Sequence, residues 1–168
     1  MSTKKNAEDF ELRRRKVAKT IVEAGDSNFL LISGLGSCNW DFTAAGDRDT
    51  FFPLWGAMGG AVPIGLGLAL AQPQRRVLVA TGDGEMLMGI GSLATVAMQM
   101  PKNLTILIFD NERYGETGMQ DTATAVSADL TSIAIGCGIP TARTVKNENE
   151  LQNNLHKFFD EEGPLFYV

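Results

Sequence analysis

The sequence predicts a three-layer α/β domain built on a mainly parallel sheet. Segments of strand length, at 29–32, 76–81, 104–109, 141–145 and 164–168, alternate with segments of helix length. The connections between these runs are long enough for right-handed crossovers between parallel strands. Two successive strands each end on an acid beside a glycine or an amide, Gly82-Asp83-Gly84 and Asp110-Asn111. Ligands bind at such strand ends in folds of this class. With 168 residues, no internal repeat and no Pro/Ser linker, one domain is expected over 1–168.

Taken in order, residues 8–24 carry the apolar positions Phe10, Leu12, Val17, Ile21 and Val22, with Ala18 and Ala24, before Gly25, an amphipathic helix with a glycine stop. Phe29–Ile32 is a buried strand. Residues 34–56 read as a long irregular loop, Gly, Ser, Asn and Asp interleaved with Trp40, Phe42, Phe51, Phe52 and Trp55; such a loop in a compact domain is expected to be functional. Ala61–Ala71 is a small-residue helix whose Gly65 and Gly67 make sense against a closely packed neighbour. Arg76–Thr81 is a strand, Leu87–Met100 a helix stopped by Pro101, and Leu104–Phe109 a strand. A polar loop at 115–124 precedes a helix at Leu130–Cys137. The strands Thr141–Val145 and Pro164–Val168 flank a helix at Glu148–Phe159. The chain ends inside that last apolar run, which leaves room for further residues beyond Val168.

Composition narrows the function classes. Hydrophobic content of 44%, charged content of 21% and a net charge of −5 describe a soluble globular chain with no electrostatic case for nucleic acid. The basic run Arg13-Arg14-Arg15-Lys16 is interleaved with Leu12, Val17 and Ile21, which reads as a solvated helix face rather than a nucleic-acid or lipid site. No run is long and apolar enough to span a bilayer, and the start lacks the apolar core of a secretory signal. Cys38 and Cys137 are far apart without metal spacing, as expected of buried or half-buried thiols in a reducing cytoplasm. His156, the sole histidine, is expected at or near the surface.

Asp83 and Asn111, 28 positions apart, carry the chemistry. A carboxylate and an amide oxygen at neighbouring strand ends, with glycine-rich backbone beside them, suit a divalent cation that carries a diphosphate. Gly84, Glu85 and Met86 begin a helix, so their N–H groups can face the phosphates, and Gly82 and Gly84 permit close backbone approach. Each residue has a plainer role: Asp83 as a helix N-cap, Asn111 as a turn residue, Met58 as core. Gly34-Leu35-Gly36-Ser37-Cys38-Asn39 hints at a dinucleotide loop but lacks a third glycine and a following helix.

The segment Gly82-Asp83-Gly84 … Asp110-Asn111-Glu112-Arg113-Tyr114-Gly115 resembles the signature of the thiamine-diphosphate (ThDP) enzymes, and Gly56-Ala57-Met58-Gly59 … Gly65-Leu66-Gly67-Leu68-Ala69 is similar to their pyrimidine-holding segment. The likeness is to the diphosphate-binding (PP) module alone, as in the β subunits of two-chain 2-oxoacid decarboxylases of the sulfopyruvate and phosphonopyruvate type. It implies Mg²⁺ held by Asp83, Asn111 and the Arg113 carbonyl. It implies Gly56 and Met58 on the pyrimidine, with Met58 supporting the coenzyme's V shape as the catalytic contribution of this chain. Tyr114, Gly115, Thr117 and Gly118 would lie over the phosphates. Asp110 replaces a frequent Asn, a departure expected to change little. The activating glutamate of this family lies on a pyrimidine-binding (PYR) module, for which the chain has no room. Glu85 and Glu116 lie on the diphosphate side. A PYR-module subunit is therefore expected in a hetero-oligomer, α2β2 or larger. The substrate implied is a small 2-oxo acid with a second anionic group, whose cationic contacts are expected from the partner. Carboligation of the acetolactate-synthase type, a 2-oxoacid oxidoreductase subunit, and a regulatory subunit with a vestigial site remain as alternatives. The oxidoreductase would favour cysteine clusters, which the chain lacks.

Overall fold

A computed structural model of the chain describes Glu8 and residues 10–168. Lys4, Lys5 and Asp9, which belong to the basic N-terminal stretch, lie outside the described residues. The domain is a six-stranded sheet with helices on both faces. The strands are β1 (Leu30–Ser33), β2 (Phe51–Pro53), β3 (Val77–Gly82), β4 (Leu104–Phe109), β7 (Thr141–Arg143) and β8 (Leu165–Tyr167), in the spatial order β2-β1-β3-β4-β8-β7. Every pairing in it is parallel. A separate antiparallel ribbon joins β5 (Arg113–Tyr114) to β6 (Gln120–Asp121).

Alternation along the central strands sorts their side chains to two cores, as period-2 geometry requires. Val77, Val79, Leu104, Ile106 and Ile108 pack on α3 (Ala61–Ala71), α4 (Asp83–Met88), α5 (Ser92–Gln99) and α6 (Leu130–Gly136). Leu78, Ala80, Leu107 and Leu165 face α1 (Arg14–Ala24), α2 (Ser37–Gly46), α7 (Glu148–Leu155) and α8 (Lys157–Asp160). The strands buried on both sides explain their unbroken apolar runs.

Four expectations change. The first helix starts at Arg14, so Phe10 and Leu12 precede it. The segment 34–56 is not irregular: α2 and β2 occupy it, so a helix does follow Gly34–Asn39. The helix expected over Leu87–Met100 is two, α4 and α5, separated at Gly89–Gly91. A Cβ at Gly89 would lie 2.2 Å from the Gly59 carbonyl oxygen, so the chain crosses itself there. The last helix also divides, at His156 between α7 and α8. Gly65 and Gly67 behave differently from one another. A Cβ at Gly65 would stand 2.1 Å from Val79 Cγ2, whereas one at Gly67 would meet nothing within 4 Å. No helix among the described residues is long and apolar enough to cross a membrane.

Candidate cofactor-binding site

The sheet's register builds the site. β3 and β4 end on the pair Gly82–Phe109, so Asp83 and Asp110 emerge side by side and Asn111 follows one residue on. β1 ends beside them, and its continuation leads through Gly36 into α2. These strand ends surround a shallow cleft of about 90 Å³. Met58, Gly82, Asp83, Gly84, Glu85, Asn111, Arg113, Tyr114, Gly115 and Thr117 all line it, so ten of the twelve expected cofactor contacts share one cavity. Two do not. Gly56 is exposed and outside the lining, and the Met86 side chain is buried in the core beneath α4. Gly118 also stands outside it.

Asp83 is not a cap. Gly82 occupies the N-cap position of α4, with no side-chain cap bond, and Asp83 is the first residue of the helix itself. Its Oδ2 accepts from Thr122 Oγ1 at 2.6 Å and from Thr124 Oγ1 at 3.1 Å, while Thr124 Oγ1 also lies 2.8 Å from Asp110 Oδ1. Asp83 is almost fully buried, and that burial, with the Asp110 charge adding to it against the two threonine hydrogen bonds, pushes its carboxyl up to about 6. Asp110 therefore changes the site more than the sequence implies: it is a second carboxylate wired to the first through one hydroxyl. No sequence pattern points to Thr122 and Thr124, the two residues that hold the Asp83 carboxylate. They sit 39 and 41 positions from Asp83, and only the turn-back of the β5–β6 ribbon brings them to it.

Asn111 does form a turn: its Oδ1 accepts from the Arg113 amide at 3.0 Å. A carbonyl oxygen has two lone pairs, so one remains for a ligand on the cleft side. The Arg113 guanidinium is tied to Asp121 at 2.7 Å and to the Glu112 carbonyl at 2.8 Å. A Cβ at Gly84 would strike the Tyr114 ring at 2.5 Å, so this glycine makes room for the tyrosine rather than for a ligand. Gly82 differs, with only the Phe109 carbonyl at 4.0 Å near its missing Cβ. Glu85 is buried with Oε2 accepting from Thr81 Oγ1 at 2.6 Å, and its Oε1 has no hydrogen-bond partner among the described residues. The α2 end of the cleft is rigid. Ser33 Oγ donates to Asn39 Oδ1 at 2.6 Å, and Asn39 Nδ2 donates to the Leu54 carbonyl, all buried. Cys38 behind it is buried, and desolvation pushes its thiol up to about 12. His156 is exposed and remote from this cleft.

The basic run does not form one solvated face. Arg15 and Lys16 are solvated, but Arg14 lines the cleft.

The donor set fits a hard cation and a diphosphate. Asp83 and Asn111 offer oxygens from adjacent strand ends, Gly82 leaves open space beside them, and the buried Glu85 Oε1 lacks a protein partner. Comparison with known proteins agrees. Residues 34–168 match the family described as thiamine pyrophosphate enzyme, C-terminal TPP binding domain. The β subunit of sulfopyruvate decarboxylase from Methanocaldococcus jannaschii is 38% identical over 86% of this chain and 78% of its own length. Phosphonopyruvate decarboxylase from Streptomyces viridochromogenes is 37% identical over 80% of this chain, which spans 33% of that protein. Among solved structures, benzoylformate decarboxylase from Polynucleobacter necessarius superposes on 99% of the chain and 34% of its own with a TM-score of 0.82 at 21% identity, a likeness of fold. A parallel sheet whose β3 and β4 ends bring Asp83 and Asn111 to one cleft, together with this match over four-fifths of its length, makes the chain a member of the thiamine pyrophosphate enzyme family, corresponding to its C-terminal TPP-binding domain.

Proposed function

We propose that this chain is the diphosphate-binding subunit of a two-chain thiamine-diphosphate-dependent 2-oxoacid decarboxylase. One observation carries the reading: an acid and an amide, delivered by register to adjacent strand ends, share a cleft with an open glycine flank in a domain related to decarboxylase subunits. Asp83, Asn111 and the Arg113 carbonyl would hold Mg²⁺, and through it the diphosphate. When bound, thiamine diphosphate supplies the electron sink for breaking the bond between the carboxylate and the oxo carbon. This chain's own part is to position. Thr122 and Thr124 hold one Asp83 oxygen so that the other can face the cation, and Met58 gives an apolar support at the cleft rim. A 2-oxo acid bearing a sulfonate or phosphonate is the substrate class that the two similar decarboxylases favour over carboligation.

A partner polypeptide of the PYR type would supply the activating carboxylate and close the cleft, which at about 90 Å³ is far too small to enclose a two-ring coenzyme. In this reading the assembly is a hetero-oligomer of α2β2 form or larger, working in the cytoplasm. The support in this chain is a set of exposed apolar side chains: Trp40 and Trp55 in edge-to-face contact at 4.8 Å, Met58 at the cleft, and Ile64 and Leu70 of α3. The decisive assay measures CO2 release from sulfopyruvate, phosphonopyruvate and pyruvate by the chain alone and mixed with its partner, with ThDP and Mg²⁺. Activity only in the mixture, with aldehyde as product, is expected. Full turnover by the chain alone would refute the two-chain reading, and absence of Mg²⁺-dependent ThDP binding in the mixture would refute the cofactor.

A further inference from the structure

The cleft holds one cation that none of the roles above uses. α1 runs opposite to the strands, so its first residue, Arg14, reaches the sheet edge where the strand ends open. Arg14 lines the cleft with Gly36, Ser37, Cys38, Asp83 and Glu116. Its Nε donates to Asp41 Oδ2, and Arg15 Nε donates to Asp41 Oδ1 at 3.0 Å. The Asp41 side chain is 2% exposed, and the two arginines are 34% and 76% exposed. One buried carboxylate thus faces two guanidinium groups and cannot neutralise both, and Arg14 stands in the cleft beside the acids Asp83, Glu85 and Glu116. The Nε contact fixes the Arg14 fork. Its two η nitrogens have no hydrogen-bond or ion-pair partner among the described residues. The other cleft arginine, Arg113, is held by Asp121 and the Glu112 carbonyl.

A guanidinium anchored through Nε keeps an η edge suited to an oxyanion, the paired-donor geometry in which arginine binds phosphate, sulfonate and carboxylate. We propose that Arg14 is an anion-binding residue of the cleft, oriented by Asp41, and that it receives an oxyanion group of the bound coenzyme or of the substrate. Asp41 is the positioning residue, and Arg15 serves Asp41 from the solvent side. The inference deepens the proposed function and depends on it for the ligand's name but not for the anion chemistry. It also places in this chain a cationic contact otherwise expected of the partner alone.

The test compares Arg14→Gln, Arg14→Lys and Arg15→Gln in the assembled two-chain enzyme, measuring the Kd of ThDP at saturating Mg²⁺ and the KM of sulfopyruvate against that of pyruvate. The loss of a charge-assisted contact predicts an effect of about tenfold or more for Arg14→Gln and a smaller one for Arg14→Lys. A weaker ThDP Kd assigns the anion to the coenzyme. An unchanged Kd with a raised KM for sulfopyruvate but not pyruvate assigns it to the substrate. Both constants within twofold of wild type overturn the proposal, as does an equal loss in Arg15→Gln, which would mean that neutralising Asp41 is all that matters. If Arg14→Gln does not fold, Arg14→Lys decides by the same readings. If the wild-type assembly neither binds ThDP nor decarboxylates, the proposed function fails, and titration of the full chain with inorganic pyrophosphate then decides Arg14 by itself. Binding weakened about tenfold in Arg14→Gln supports the residue's role; equal binding, or none to wild type, overturns it.

Discussion

Asp83 shows how a single side chain is prepared for its role. Its Oδ2 is held by two threonine hydroxyls, so removing them should free the carboxylate to rotate. Thr122→Val is isosteric but cannot donate. It should weaken Mg²⁺-dependent ThDP binding by about tenfold, whereas Thr122→Ser should retain most of it, because one hydrogen bond to a charged group is worth about 1.5–3 kcal/mol; calorimetric titration of the assembled enzyme distinguishes the two. Burial also gives the metal-free chain a pH signature. With its carboxyl at about 6 in the fold against 3.8 unfolded, folded Asp83 keeps a proton that the unfolded chain has released between those values. Stability should therefore fall as pH rises from about 4 to about 6 and level off above, by up to about 3 kcal/mol. Asp83→Asn should flatten that slope in urea unfolding series. A slope of opposite sign in the wild type would show that the carboxylate is stabilised, not penalised, by its surroundings. Cys38, buried with its thiol at about 12, should resist a disulfide reagent at pH 8 while the half-buried Cys137 reacts, so folded protein should titrate one thiol and denatured protein two. Asp83 and Asn111 were legible because strand, glycine and spacing coincide in sequence. Thr122 and Thr124, which reach Asp83, and Arg14, which reaches the cleft, are not legible, since each arrives through a reversal of the chain that no local pattern encodes.

At the scale of elements, the sequence was most readable where one force acted alone. β3 and β4 are buried on both faces and could be nothing but strands. α2 reads as a loop in the sequence because its residues, Ser-Cys-Asn-Trp-Asp-Phe, have little helical preference. Tertiary contacts override that preference: Phe42 is inserted into the core, Asn39 is bonded to Ser33 and Leu54, and Asp41 is bound by α1. The break between α4 and α5 falls at Gly89-Ile90-Gly91, whose two glycines each weaken a helix by about 1 kcal/mol, and the crossing with Gly59 completes it. α3 was read correctly, and its Gly65 has a measurable consequence. An added methyl would stand 2.1 Å from Val79 Cγ2 in the central strand, so Gly65→Ala should destabilise the chain despite alanine's better helix propensity. Overpacking predicts a loss of about 1–3 kcal/mol. Gly67→Ala, with open space at the same helix's outer face, should stabilise the isolated chain slightly, by up to about 1 kcal/mol. Chemical denaturation of the two variants side by side tests both signs.

For the whole molecule, α3 is the element that one domain does not account for. From Ala61 to Ala71 it carries no polar side chain, yet it covers only one side of the sheet. A helix that is apolar all round is expected to be buried all round. Ile64 and Leu70 are instead exposed on its outer face, as are Trp55 and Met58, the latter lining the cleft. That surface should be the seat of the partner subunit, which places the incoming carboxylate beside the open end of the site. Ile64→Asp separates folding from assembly. In the isolated chain Ile64 is 37% exposed, so the aspartate can reach solvent and stability should fall by only about 1–2 kcal/mol. In the assembly it would be buried without a counter-charge, a cost of several kcal/mol, so complex formation should weaken by a factor of a hundred or more. Sedimentation of the variant with its partner reads the effect directly, and ThDP binding, which needs the closed cleft, should be lost with it. If Ile64→Asp assembled as tightly as the wild type, the partner would have to approach across the strand ends alone, and the apolar face of α3 would need another occupant.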